Sequence, residues 1–303
     1  VPITEKSAAT KDAASGPAAG QRAPSVIDAH VHVWDLGGGP FGVEYPWLRP
    51  ELSRLYRSYS LADAHPEFEA AGVGGLVLVQ AADSLAETRE LLRAAAAESL
   101  PTKVVGWLPL SDPTATAAAL QQFSSAELVG ARHLIHDEPD PRWLLRPDVT
   151  DGLTVLAEAG LPFDAVAERP DLIAQIPAVA RRHPGLTIVL DHLGKPPIAD
   201  RGWQPWADLV AAAAAEPGVV AKISGLGTAS AAGWTADDWQ RYVDFAIEVF
   251  GPDRLMLGGD WPIALQAGSY ADTWAATLSV IDGLDPAGRA AVLGGTAARV
   301  YRF

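Results

Sequence analysis

From Val26 onward the chain switches between two rhythms of apolar and polar positions. Eight short runs rich in β-branched and aliphatic residues recur: "VIDAHVHVW", "GGLVLVQ", "KVVGWLPL", "LVGARHLI", "LPFDAVA", "LTIVLDH", "VVAKISGL" and "RLMLGGDW". Helix-like segments such as "SLAETRELLRAAAAES", "PDLIAQIPAVARRH" and "TADDWQRYVDFAIEVF" separate most of them, and a helix pair around "YADTWAATLSVID" and "PAGRAAVLGGTAARVY" follows the eighth. Strands alternating with helical crossovers over residues 26–303 predict a single (β/α)8 TIM barrel. The competing architecture, an open doubly wound sheet, carries a glycine-rich fingerprint after its first strand. Here "WDLGGGPFG" follows instead, without the required helix start.

Composition agrees and narrows the function classes. A chain of 303 residues that is 49% hydrophobic can bury a large core. The formal charge of −14 argues against nucleic acid or an anionic membrane as a partner. With no cysteine, disulfides, thiolate metal sites and a cysteine nucleophile are excluded. No apolar stretch is long enough to cross a bilayer. Residues 1–25 are Ala-, Ser-, Gly- and Pro-rich without periodicity, which predicts a disordered or loosely docked tail. The tail lacks the apolar core of a signal peptide, so the expected location is the cytoplasm, with export on a cleaved upstream signal left open.

The first run places histidines where a buried strand would carry valines. Side chains alternate across a strand, so Ile27, Ala29, Val31 and Val33 form one face and Val26, Asp28, His30, His32 and Trp34 the other. In a barrel the second face looks into the lumen and toward the C-terminal rim, where barrel active sites lie. The sixth run ends on His192, sharing a face with Ile188 and Leu190, and the eighth ends on Asp260. Barrel closure would bring His30, His32, His192 and Asp260 to one rim. Three imidazoles and a carboxylate can hold one divalent metal, zinc by donor type, or can bind a water and pass protons without metal.

The stretches "IDAHVHVWD", "YPWL", "GARHLIHDEPDPRWL", "FDAVAERP", "LDHLGKPP", "KISGL" and "GGDWP" resemble the amidohydrolase superfamily, and more narrowly its amidohydrolase-2 branch of sugar-lactone and dicarboxylate-lactone hydrolases. The resemblance implies a small-molecule lactone or sugar acid as partner, with His30, His32, His192 and Asp260 as the reaction centre. Members with two metals use a carboxylated lysine on the fourth strand and a histidine on the fifth. The fourth run here has no lysine and the fifth no histidine, which leaves one metal, most simply zinc, or none. His136 stands where the family pattern leads us to expect glutamine.

Lactone hydrolysis needs a water deprotonated, a carbonyl polarised and a ring oxygen protonated. Asp260 is the candidate base, and His30, His32 and His192 are the candidate polarising groups, directly or through metal. Arg132 and His136 share a face of the fourth run and are candidate substrate contacts, which leaves His133 as structural. Trp34, Tyr45, Trp47 and Trp261 could wall the pocket, since aromatic faces stack on sugar rings, and Lys195 reads as a solvated lysine. A zinc-dependent decarboxylase and a non-catalytic binding barrel remain as alternatives.

Overall fold

The computed structural model describes residues 25–303, so the expected tail lies outside the described residues but for Ser25. Eight strands form one sheet in sequence order: β1 (Ile27–Val31), β2 (Gly75–Val79), β3 (Thr102–Gly106), β4 (Leu128–His133), β5 (Phe163–Ala165), β6 (Ile188–Leu190), β7 (Val219–Ile223) and β8 (Leu255–Leu257). All neighbouring pairs from β1 to β8 are parallel. The circle closes just beyond β8. Asp260 N donates to His30 O at 2.8 Å, and His32 N donates to Trp261 O at 2.7 Å. The result is a (β/α)8 barrel.

Local signals set the helix ends. Ser84 accepts from Ala86 N to open the helix Leu85–Ala97, and a Thr235–Asp238 capping box opens Ala236–Phe250. The segment expected as one helix over 170–183 is two, Pro170–Ile173 and Ile176–Arg182. Pro177 has no N–H to continue the ladder, so the chain restarts rather than running on.

Two apolar layers surround the sheet. The outer one takes Val31, Leu76, Leu78, Ala131, Phe163, Leu190 and Leu257 against the helices. The inner one, Ile27, Ala29, Val77, Val79, Val105, Val129, Val189, Val220 and Met256, is sealed by Ala297, Val300 and Tyr301 at the end of the last helix (Thr296–Val300).

These layers correct two face assignments. The register of β1 on β2 shifts between Asp28 and Val31. Before the shift Ile27 and Ala29 pack inside the lumen, and Asp28, expected to look inward, instead accepts from Gly259 N at 2.7 Å and Tyr270 OH at 2.8 Å. A bulge adds a residue and inverts the alternation beyond it, so His30 and His32 still reach the lumen. In β6 the inward residue is Val189, which puts Asp191, not His192, on the lumen face by alternation.

Candidate active site

Above its apolar floor the lumen becomes polar. Lys222 of β7 lies 2.5 Å from Asp164 of β5, 3.2 Å from Asp191 and 3.2 Å from His30 Nδ1. Arg132 of β4 donates to Asp191 at 3.1 Å and to Gln80 O at 2.9 Å. From below, Tyr301 donates its hydroxyl to Asp164 at 2.7 Å. All six side chains are buried, and the opposite charges compensate one another.

The next layer holds the four predicted residues together. His30 Nε2 and His32 Nε2 are 3.1 Å apart, and Asp260 Oδ1 lies 3.9 and 3.6 Å from them respectively. The His192 ring centre is 4.6 Å from that of His30. His32 Nδ1 donates to Val79 O at 2.7 Å, and His192 Nδ1 is 2.8 Å from Ser224 Oγ. Each of these two rings is thus held by one nitrogen. His192 and Asp260 both have left-handed backbones, with φ of 55° and 54°. That conformation costs about 1 kcal/mol or more per non-glycine residue and turns both side chains into the site after their strands have ended.

Burial holds all three imidazoles below the ordinary histidine range. Burial opposes ionisation of Asp260, but His192, His32 and His30 outweigh it and hold its carboxyl well below the usual range. The same contest is won by Lys222, His30 and Arg132 at Asp191, which is also held well below its ordinary value. Asp164 goes the other way: burial lifts it to about 6 despite Lys222.

A cavity of about 190 Å³ opens onto this layer, lined by His32, His192, Asp260 and Arg132 at its base. Trp47, His136, Glu168 and Lys195 stand around it. Lys195, expected in solvent, is 3.2 Å from Thr228 Oγ1 and 3.5 Å from Glu168. The Trp47 indole donates to Ala81 O at 2.6 Å. The other three aromatic candidates sit behind the pocket. Trp34 packs edge-on against Trp47 and Tyr59 and donates to Arg57 O, and Trp261 packs on Tyr59 and Phe68. Tyr45 is buried against Trp34. His133 is off the pocket too, stacked on Trp143 at 4.1 Å and bonded to Trp107 and Glu138.

Sequence reasoning missed Asp191, Lys222, Asp164 and Glu87. The first three had a usable signal, a lone charge in an apolar run, the same signal that singled out the histidines. Glu87 lies in the first turn of its helix, fully buried, accepting from Ala81 N and Ala82 N under the pocket wall. Burial pushes it up to about 8. Between roughly pH 4.5 and 8 the folded chain keeps this proton and the unfolded chain loses it, so stability falls as pH rises through that window. Glu87→Gln should remove this component, and denaturant melts of both proteins at pH 5 and pH 8 will show whether the variant loses less stability.

His30, His32 and Asp260 offer three ligand atoms within 4.8 Å of one another, as do His30, Asp191 and His192. Two imidazoles and a carboxylate are an ordinary zinc donor set, so these residues fit a metal.

A barrel with this histidine–aspartate rim is the scaffold of a metal-capable hydrolase. Residues 27–303 match the amidohydrolase family, and the chain belongs to it. It is 33% identical to the L-fucono-1,5-lactonase of Burkholderia ambifaria and 34% identical to that of Burkholderia multivorans, each match covering 91% of this chain and 95% of the relative. A crystal structure of a Burkholderia multivorans amidohydrolase with bound zinc superposes with a TM-score of 0.85 at 33% identity, covering 92% of this chain and 99% of that one.

Proposed function

We propose that this protein hydrolyses the cyclic ester of a sugar-acid lactone, with Asp260 as general base. The observation that carries this reading is the Asp260 carboxylate set among the imidazoles of His30, His32 and His192 at the base of a cavity sized for one small ring. The similarity to two L-fucono-1,5-lactonases over most of the chain supports the same substrate class.

Asp260 takes a proton from a water, and the resulting hydroxide bonds to the lactone carbonyl carbon. The bond from that carbon to the ring oxygen then breaks, and the proton on Asp260 passes to the ring oxygen. The product is a hydroxy acid, which releases one proton to neutral solution. His32 and His192, each pinned through Nδ1, orient water and carbonyl, and Arg132 adds a positive field near the developing oxyanion. Trp47 offers a flat wall, and His136, Glu168 and Lys195 offer hydrogen bonds to ring hydroxyls. His30, His32 and Asp260 are the residues that would hold a zinc ion, which when bound polarises the carbonyl and acidifies water.

With no fourth-strand lysine or fifth-strand histidine, metal analysis should find no more than one zinc per chain. Two would refute the mononuclear reading. The function itself is tested with a panel of aldonic-acid 1,5-lactones and a pH indicator. One proton per turnover without carbon dioxide is the expected result. No hydrolysis above the spontaneous rate across the panel, or carbon dioxide released from an aromatic acid, would overturn it.

A further inference from the structure

We propose that Lys222 is a positioning residue that fixes the proton of His30 on Nε2 and thereby weakens metal binding at this site. Lys222 is fully buried, where water cannot complete its hydrogen bonding. Its ammonium has three partners: Asp164 Oδ2 at 2.5 Å through a hydrogen bond, Asp191 Oδ1 at 3.2 Å as an ion pair outside hydrogen-bond geometry, and His30 Nδ1 at 3.2 Å through a hydrogen bond. The third contact is attractive only if His30 Nδ1 is bare, because a proton there would face an N–H.

The far side of the ring asks for the same tautomer. His32 Nδ1 donates to Val79 O, so its Nε2 is a lone pair. That lone pair lies 3.1 Å from His30 Nε2. A proton on His30 Nε2 gives it a donor, whereas the other tautomer sets two lone pairs against each other. Two contacts pull the opposite way: Arg132 Nη1 is 3.2 Å from His30 Nε2, and Asp191 Oδ1, which has no hydrogen-bond partner, lies 3.4 Å from His30 Nδ1. Arg132 has other acceptors, Asp191 for the same nitrogen and Gln80 O for its neighbour. Lys222 has no fourth. Asp191 Oδ1, at 3.4 Å from His30 Nδ1, is the acceptor that a proton on Nδ1 would use.

Coordination of a cation by His30 Nε2 needs that nitrogen bare. The proton must move to Nδ1 and turn to Asp191, and Lys222 then loses an acceptor. The lysine and the metal therefore want opposite tautomers of one imidazole. The inference concerns that competition and holds whatever lactone the pocket takes.

The decisive measurement is the ¹⁵N spectrum of the histidine rings in metal-free wild-type protein, with His30 assigned by comparison with His30→Asn. The expected result is a protonated Nε2 and a bare Nδ1, and a protonated Nδ1 overturns the proposal. The removal variant is Lys222→Met, of similar length and uncharged. Its His30 should carry the proton on Nδ1, and zinc affinity, read by competition with a chromophoric chelator, should rise tenfold or more. Unchanged or weaker zinc binding in a Lys222→Met protein that melts like wild type would refute the antagonism. If that variant does not fold, the wild-type spectrum alone decides. Failure to find a lactone substrate would leave both readouts intact, so the two readings fail separately.

Discussion

Asp260→Asn should lower the hydrolysis rate by about 100-fold or more, the usual scale for losing a positioned base, with little change in KM. Asparagine keeps the shape and volume of the side chain and tolerates the left-handed backbone at this position better than most residues do. The backbone bond from this position to His30 O is also retained, so the loss would report the missing proton acceptor rather than a displaced loop. Metal content must be measured on the same sample. Near wild-type turnover of the best lactone would refute the assignment. So would a deficit wholly restored by saturating metal, which would leave Asp260 as a ligand only. Because the imidazoles hold the wild-type carboxyl well below its usual range, protonation of Asp260 itself should not limit hydrolysis in mild acid, which a pH–rate profile down to pH 5 checks.

Gly259→Ala should cost the fold more than any change in the pocket. A Cβ at this position would lie 2.3 Å from the Tyr270 ring and 2.5 Å from Asp28 Oδ2. Neither neighbour is free to move: Tyr270 is fully buried, and its hydroxyl is bonded to Asp28, which also takes the Gly259 amide. Overpacking of this kind costs on the order of 3 kcal/mol, equivalent to a fall of about 5 °C in Tm for a chain of this length. A melt within 1–2 °C of wild type (about the error of such a scan) would show that the seam has room to adjust.

The architecture was legible because each strand and most helices keep their own period, and all eight apolar runs contain a strand. The site was legible where a polar residue interrupts such a run. Reading which face a residue occupies was less secure. A two-residue alternation predicts direction only while the backbone stays extended and in register. Because β1 shifts register beyond Asp28, Asp28 faces outward and Ala29 inward, yet His30 and His32 still reach the lumen. At the end of β6 alternation selects Asp191, and His192 reaches the site through a left-handed turn that no periodicity encodes. The aromatic residues had no pattern to separate a pocket wall from the packing behind it. Trp47 lines the cavity while Trp34 and Trp261 stand at its back, because contact with solvent there depends on how the long first loop folds over.

The barrel closes through the same residues that form its reaction centre. Between β1 and the end of β8 the joint consists of Asp260 N to His30 O, His32 N to Trp261 O and the Asp28 carboxylate on Gly259 N. A zipper whose last teeth are also its working parts cannot open without stopping work. On warming or in mild denaturant, breathing of this seam should silence the enzyme while most helices remain folded, so inactivation should run ahead of the far-ultraviolet melt. In amide hydrogen exchange, the Asp260 and His32 amides should exchange together and earlier than those buried in β2 to β7. A substrate bound across the seam would act as a clasp, slowing both events in proportion to its occupancy.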